Sequence, residues 1–112
     1  MARESMKTVL ILMAQFGPRV AIPVEEVRRE YFAHLEMNKF MRKLSSGEIP
    51  LPVTRAEKSM QSAKFISIMD LAIYLDTQME AGRREYEQLR AAAGTGEGAQ
   101  QRFADLMLGR KS

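Results

Sequence analysis

The sequence predicts a mainly α domain that carries a small β wing. Three observations point there. Two helical patterns follow each other with only a tight connection around His34 and Leu35 between them. A proline-bounded extended run at Ile49–Val53 is answered by a second one at Lys64–Ile66, and one long helical stripe begins after Ser67. A helix-turn-helix followed by a two-stranded hairpin is a winged helix-turn-helix, here with a long C-terminal helix behind it. A chain of 112 residues with 46% hydrophobic content can build one modest core. The expected division is a flexible N-terminus over 1–7, the winged helix-turn-helix over 8–68, and a long helix over 69–92 for core packing and dimerisation. A Gly-rich linker and a short amphipathic tail follow over 93–112.

Taken in order, Thr8–Phe16 is apolar with a β-branched start. It fits a strand, or a buried helix capped by Thr8 and stopped by Gly17, and periodicity over so short a run does not separate the two. Gly17-Pro18 is a turn, and Val20-Ala21-Ile22 is extended because the residue before a proline avoids the helical region. Pro23 suits the first position of a helix, where its missing N–H costs nothing, and Glu25 and Glu26 complement the positive end of the dipole. Val24, Val27, Tyr31 and Leu35 recur at spacings of three and four and mark a core face. Arg28 and Arg29 fall on the other side, within reach of Glu25, Glu26 or Glu30.

The second helix spans about Glu36–Ser45. Met37, Phe40, Met41 and Leu44 share one side, which turns Asn38, Lys39, Arg42 and Lys43 outward. Gly47 is placed for a left-handed cap, and the helix cannot pass Pro50. The two prolines of Ile49–Val53 mark an edge strand, and polar Ala56–Ala63 reads as the hairpin tip. Ser67 and Asp70 fit a capping box that starts the long helix. Ile68, Leu71, Leu75, Met79, Gly82, Tyr86 and Leu89 extend its stripe further than so small a domain can cover. Leu75, Met79, Tyr86 and Leu89 are therefore expected to pair with a second copy.

Composition excludes several classes. There is no cysteine and only one histidine, His34. Disulfides and thiolate metal sites are ruled out, and no phosphate-cradling loop, nucleophile elbow or metal-ligand spacing is present. The expectation is a non-enzyme without cofactor. No apolar run approaches the roughly 20 residues of a membrane span, and no signal-peptide pattern opens the chain, so the expected location is cytoplasmic, away from membranes.

Charge is concentrated rather than abundant. The formal net charge is +3 and the pI about 9.4. From Met37 to Ile66, Lys39, Arg42, Lys43, Arg55, Lys58 and Lys64 face only Glu48 and Glu57. Asn pairs bidentately with adenine and Arg with guanine in the major groove, while lysines neutralise phosphates. A lone basic helix face is more often simply solvated. Its place on the second helix of a helix-turn-helix shifts the reading to double-stranded DNA. The recognition helix is then about 37–45, with Asn38, Lys39, Arg42 and Lys43 outward. The wing, about 49–66, offers Arg55, Lys58, Gln61 and Lys64 to backbone or minor groove, with Ser59 and Ser62 as neutral donors. The methionines at 37, 41, 69 and 79 read as adaptable packing.

One resemblance adds to this. Leu12-Met13-Ala14-Gln15-Phe16-Gly17, Ile22-Pro23, Glu30-Tyr31-Phe32, Arg42-Lys43, Gly47-Glu48-Ile49-Pro50-Leu51-Pro52, Ser62-Ala63-Lys64, Asp70-Leu71-Ala72 and Tyr74-Leu75-Asp76 occur in an order that resembles the pyocin activator protein family of the PrtN type. The resemblance covers about Thr8 to Gln88. The central block is also similar to the short winged helix-turn-helix domains of phage excisionases and AlpA-type regulators, in which a Gly-x-[Ile/Leu/Phe]-Pro turn leads into the wing. It implies a transcriptional activator from a prophage or phage-tail bacteriocin locus that binds promoter repeats and turns on structural and lytic genes, with RNA polymerase as a further partner. It carries over no contact residues, so Asn38, Lys39, Arg42 and Lys43 rest on helical geometry alone. Two other readings stand beside it: an excisionase-like architectural factor that bends DNA, and a protein-interaction module whose basic face meets an acidic partner.

Overall fold

The computed structural model describes residues 3–59, 61–93 and Met107. The chain divides into two compact units, Met1–Asp76 and Thr77–Ser112. Seven elements follow in order: α1 (Arg3–Phe16), β1 (Ala21–Pro23), α2 (Val24–Tyr31), α3 (Met37–Ser46), β2 (Thr54–Arg55), β3 (Lys64–Ser67) and α4 (Ile68–Ala93). The strands form one antiparallel sheet in the order β1-β3-β2. This is a winged helix-turn-helix with a long C-terminal helix.

The segment left open between strand and helix is helical. Leu12 and Phe16 are buried with Val9 and Met13 packed beside them, and Ser5, only 5% exposed, continues the same stripe backward. That continuation carries α1 to Arg3, so residues 3–7 belong to a helix and not to a flexible arm. Gly17 ends it at φ +91°, with its N–H donating to Met13 O at 2.8 Å.

Ala21 and Ile22 are extended as expected, whereas Val20 forms a bend ahead of the strand, and β1 has a sheet partner in β3. Ile22 pairs with Ile66, and both are fully buried. Pro23 closes β1 and caps α2 at φ −54°, one position earlier than the first helical residue. Lacking an N–H, it suits the end of this edge strand.

The wing departs from expectation in its first strand. Ile49–Val53 lies outside the sheet, and Thr54–Arg55 pairs with Phe65 and Lys64. Pro50 and Pro52 have no N–H to give a ladder. Ile49 and Leu51 are instead 8% and 3% exposed and pin the segment to the core.

The core is built around Phe40, Leu12, Ile22, Ile66, Leu71 and Val27, all essentially inaccessible. Phe32 stacks on Phe40 with ring centroids 4.8 Å apart. Thr8 Oγ1 donates to Asp76 Oδ1 at 2.6 Å and ties α1 to α4. Ser67 caps α4 as expected, its Oγ accepting from the N–H groups of Met69 and Asp70 at 3.1 and 3.3 Å.

In the second unit the helix continues to Ala93, with Arg83 and Arg84 both paired to Glu80. The Arg90 guanidinium lies 5.8 Å from the Tyr86 ring centroid. Gly82, Tyr86 and Leu89 share a groove with Met107. Apart from Met107, the expected linker and tail after Ala93 lie outside the described residues.

Candidate nucleic-acid interface

α3 owes its orientation to its inner side. Phe40 and Leu44 are buried, and Met37 and Met41 pack at the margin of the core. With about 100° between successive residues, this fixes what points away. Asn38, Lys39, Arg42 and Ser45 are exposed. Asn38 and Arg42, four apart, form one row, and Lys39 lies behind it. Among the described residues, the side chains of Asn38 and Arg42 have no partner in the chain.

Lys43 stands differently. Its Nζ is 2.6 Å from Glu48 Oε2, across the turn that ends the helix. Hydrogen bonding to Lys43 holds the Glu48 carboxyl below its ordinary value of 4.5, and the more distant charge of Lys39 adds to the effect. The turn itself is closed by Gly47 at φ +81°, whose N–H donates to Leu44 O, and by Ile49 N–H on Lys43 O. Glu48 was not among the expected site residues. Its signal was an acid placed just beyond the helix end, within reach of the last lysine.

The turn ahead of α3 is held by Arg28. Its guanidinium bonds Glu25 at 2.8 Å and also donates from Nη1 to Leu35 O at 2.9 Å. The expected pairing with Glu25 is present, and the bond to Leu35 fixes the approach of the chain into α3. His34 is exposed in this turn, 6.4 Å from the Phe32 ring by centroids.

On the wing, Arg55 and Lys64 are direct cross-strand partners. Lys64 Nζ donates to Ser62 O at 3.5 Å. Lys58 is exposed at the tip. All three line a groove whose other wall is Met41, Leu44 and Ser45 of α3 and whose floor includes Leu51 and Val53. Arg55, Lys58 and Lys64 are thus brought together beside α3, with Glu57 among them.

Gln61 is exposed on the tip, and its backbone N–H donates to Ser59 Oγ. Ser62 Oγ lies 2.8 Å from Ser59 O and 2.9 Å from Glu57 O, and Ala56 N–H donates to Ala63 O. The Ser62 hydroxyl is thus engaged inside the tip.

The four residues expected at a dimer contact separate. Leu75 packs against the core of the first unit. Met79 and Tyr86 are 52% and 43% exposed, and Leu89 is half-buried beside Met107. Among the described residues, no group of His, Cys, Asp and Glu is arranged to hold a metal, and no helix is long and apolar enough to cross a membrane.

Residues 8–82 match the family model described as Pyocin activator protein PrtN. The chain belongs to the pyocin activator family. The matched range takes in the end of α1, the helix-turn-helix, the wing and the first half of α4. No curated protein and no solved structure shows significant similarity to the chain. The pyocin activator family is one of regulators, and its matched region contains Lys39, Arg42 and Lys43 of α3 and Arg55, Lys58 and Lys64 of the wing.

Proposed function

We propose that the chain is a sequence-specific DNA-binding transcriptional activator of prophage or phage-tail bacteriocin genes, working in the bacterial cytoplasm as a homodimer on promoter repeats. The observation that carries this is the unpartnered row Asn38–Arg42 on the second helix of a helix-turn-helix. α3 enters the major groove, where Arg42 reads guanine and Asn38 reads adenine, and Lys39 meets phosphate. Lys43 contributes after exchanging Glu48 for phosphate. Arg55, Lys58 and Lys64, with Gln61 at the tip, grip the backbone or adjacent minor groove. Two copies then read two half-sites, and RNA polymerase is contacted by a surface outside α3 and the wing.

Selection from random DNA followed by footprinting tests this reading. The expected result is a short recovered motif, protected in paired repeats, with affinity falling steeply as salt rises. Recovery of no motif, with salt-insensitive binding to a protein partner instead, would sink it.

A further inference from the structure

α1 is apolar on two sides. Its inner side, with Leu12 and Phe16, closes the core. Its outer side carries Met6, Leu10 and Ile11 at 52%, 64% and 68% exposure, with Ala14 exposed one turn after Leu10 and Lys7 and Gln15 as exposed polar neighbours. A cluster of large apolar side chains exposed on the side of a helix away from the core marks an interaction surface.

The surroundings of α1 extend this face. Ile68 N–H donates to Val20 O, which brings the chain leaving α1 to the start of α4, while Thr8 bonds Asp76 two turns further along α4. The two helices therefore run antiparallel. Ile11 lies one turn after Thr8 and Ile73 one turn before Asp76, so the two share the outside of the same seam, with Met69 one turn further on. Ile73 and Met69 are 46% and 49% exposed. These five large side chains leave on the order of 500 Å² of apolar surface open, at the upper end of what a monomer carries and most of the roughly 800 Å² that one partner contributes to a stable complex.

We propose that this face docks a second copy of the chain, with α1 packing antiparallel on α1 of its partner about a two-fold axis at Leu10. The inference rests on the homodimer reading given above. Met6, Leu10 and Ala14 form one row at intervals of four. A two-fold axis at Leu10 sets Leu10 against Leu10 and Met6 against Ala14, large against small on both sides of the centre. Such a row is complementary to itself, as an isologous interface must be, and its i±4 ridge is the one that most often interdigitates between helices. On the distal stripe of α4, Arg90 lies over Tyr86 and Met107 shares a groove with Leu89, while Met79 is exposed without an apolar cluster around it, among the described residues, as large as that on α1.

The absence of cysteine makes the test direct. In the full-length chain, Leu10→Cys should form a disulfide-linked dimer on mild oxidation, because two-fold-related residues at a close helix contact fall within the roughly 4.4–6.8 Å between Cα atoms that a disulfide needs. Met6→Cys and Ala14→Cys should link to each other when mixed and not to themselves, and Thr54→Cys on the wing should stay unlinked. Sedimentation should show Leu10→Asp dissociating at concentrations at least tenfold above those of the unaltered chain. The cysteine series decides the matter if Leu10→Asp does not fold. A dimer that survives Leu10→Asp, fails to link at position 10 and dissociates with Met79→Asp overturns the α1 assignment while leaving the dimer intact. An unaltered chain that sediments as a monomer at high concentration overturns both.

Discussion

Arg42 and Lys43 are neighbours with different circumstances. Arg42 is exposed without a partner in the described residues, whereas Lys43 is held by Glu48 at 2.6 Å. Their substitution should therefore separate two kinds of binding energy. Arg42→Ala is expected to weaken the preferred site by roughly 10–100-fold and relax specificity at one base pair. Lys58→Ala, which removes a charge from the wing tip, should weaken all sequences alike and lower the salt slope by about one. Binding isotherms at several salt concentrations on the selected site and on a scrambled duplex distinguish these outcomes. Arg28 is the residue whose role sequence left half hidden. Its i,i−3 pairing with Glu25 follows from helix spacing, but its bond to Leu35 O depends on where the chain goes after α2. Arg28→Ala should speed amide exchange in the turn ahead of α3 and weaken DNA binding, while Glu25→Gln, which leaves the Leu35 bond in place, should do so less.

At the scale of elements, what local chemistry dictates was legible. α3 carried its inward stripe and its glycine stop, and α4 carried its serine cap; all three are present in the structure, and of the outward set Asn38, Lys39 and Arg42 are exposed while Lys43 is tied to Glu48. What depends on distant partners was not. β1 reads only as extended chain until Ile22 meets Ile66, and the strand of the wing shifts to Thr54–Arg55 because the buried Ile49 and Leu51 use the preceding segment as an anchor. α1 was ambiguous because a short apolar run satisfies both periods. Ion pairs at element ends also make a prediction about acid. Glu25, Glu26 and Glu48 all have carboxyl groups held below their ordinary 4.5 by hydrogen bonds to Arg28, Arg19 and Lys43 respectively. Folded values below the unfolded one mean that this stabilisation is complete above about pH 4.5 and is lost as pH falls through the lowered values. The melting temperature should be level from neutrality to about pH 5 and decline below about pH 4.5, and Glu26→Gln should make the decline shallower.

For the whole molecule, the buried hydrophobic residues among those described lie between Leu12 and Ala72. A chain ended after Gly82, where the family match stops, is expected to unfold in one cooperative transition and to keep its DNA affinity at a single half-site. If two copies meet through α1, the shortened chain also keeps its dimer and its paired footprint. If they meet through distal α4, it reads single half-sites only. Calorimetry and footprinting of that chain give the answer.

The freedom of Asn38 and Arg42 has one more consequence. Because neither side chain is bound to the fold, and the residues that position them lie on the opposite side of the same helix, the proposed reading separates the letters of the address from the frame that holds it. Target preference in such a protein can drift by exchanging two or three outward residues without disturbing the scaffold. A new outward set transplanted onto α3, with Phe40, Leu44 and Gly47 untouched, should redirect the protein to a different repeat at nearly unchanged melting temperature.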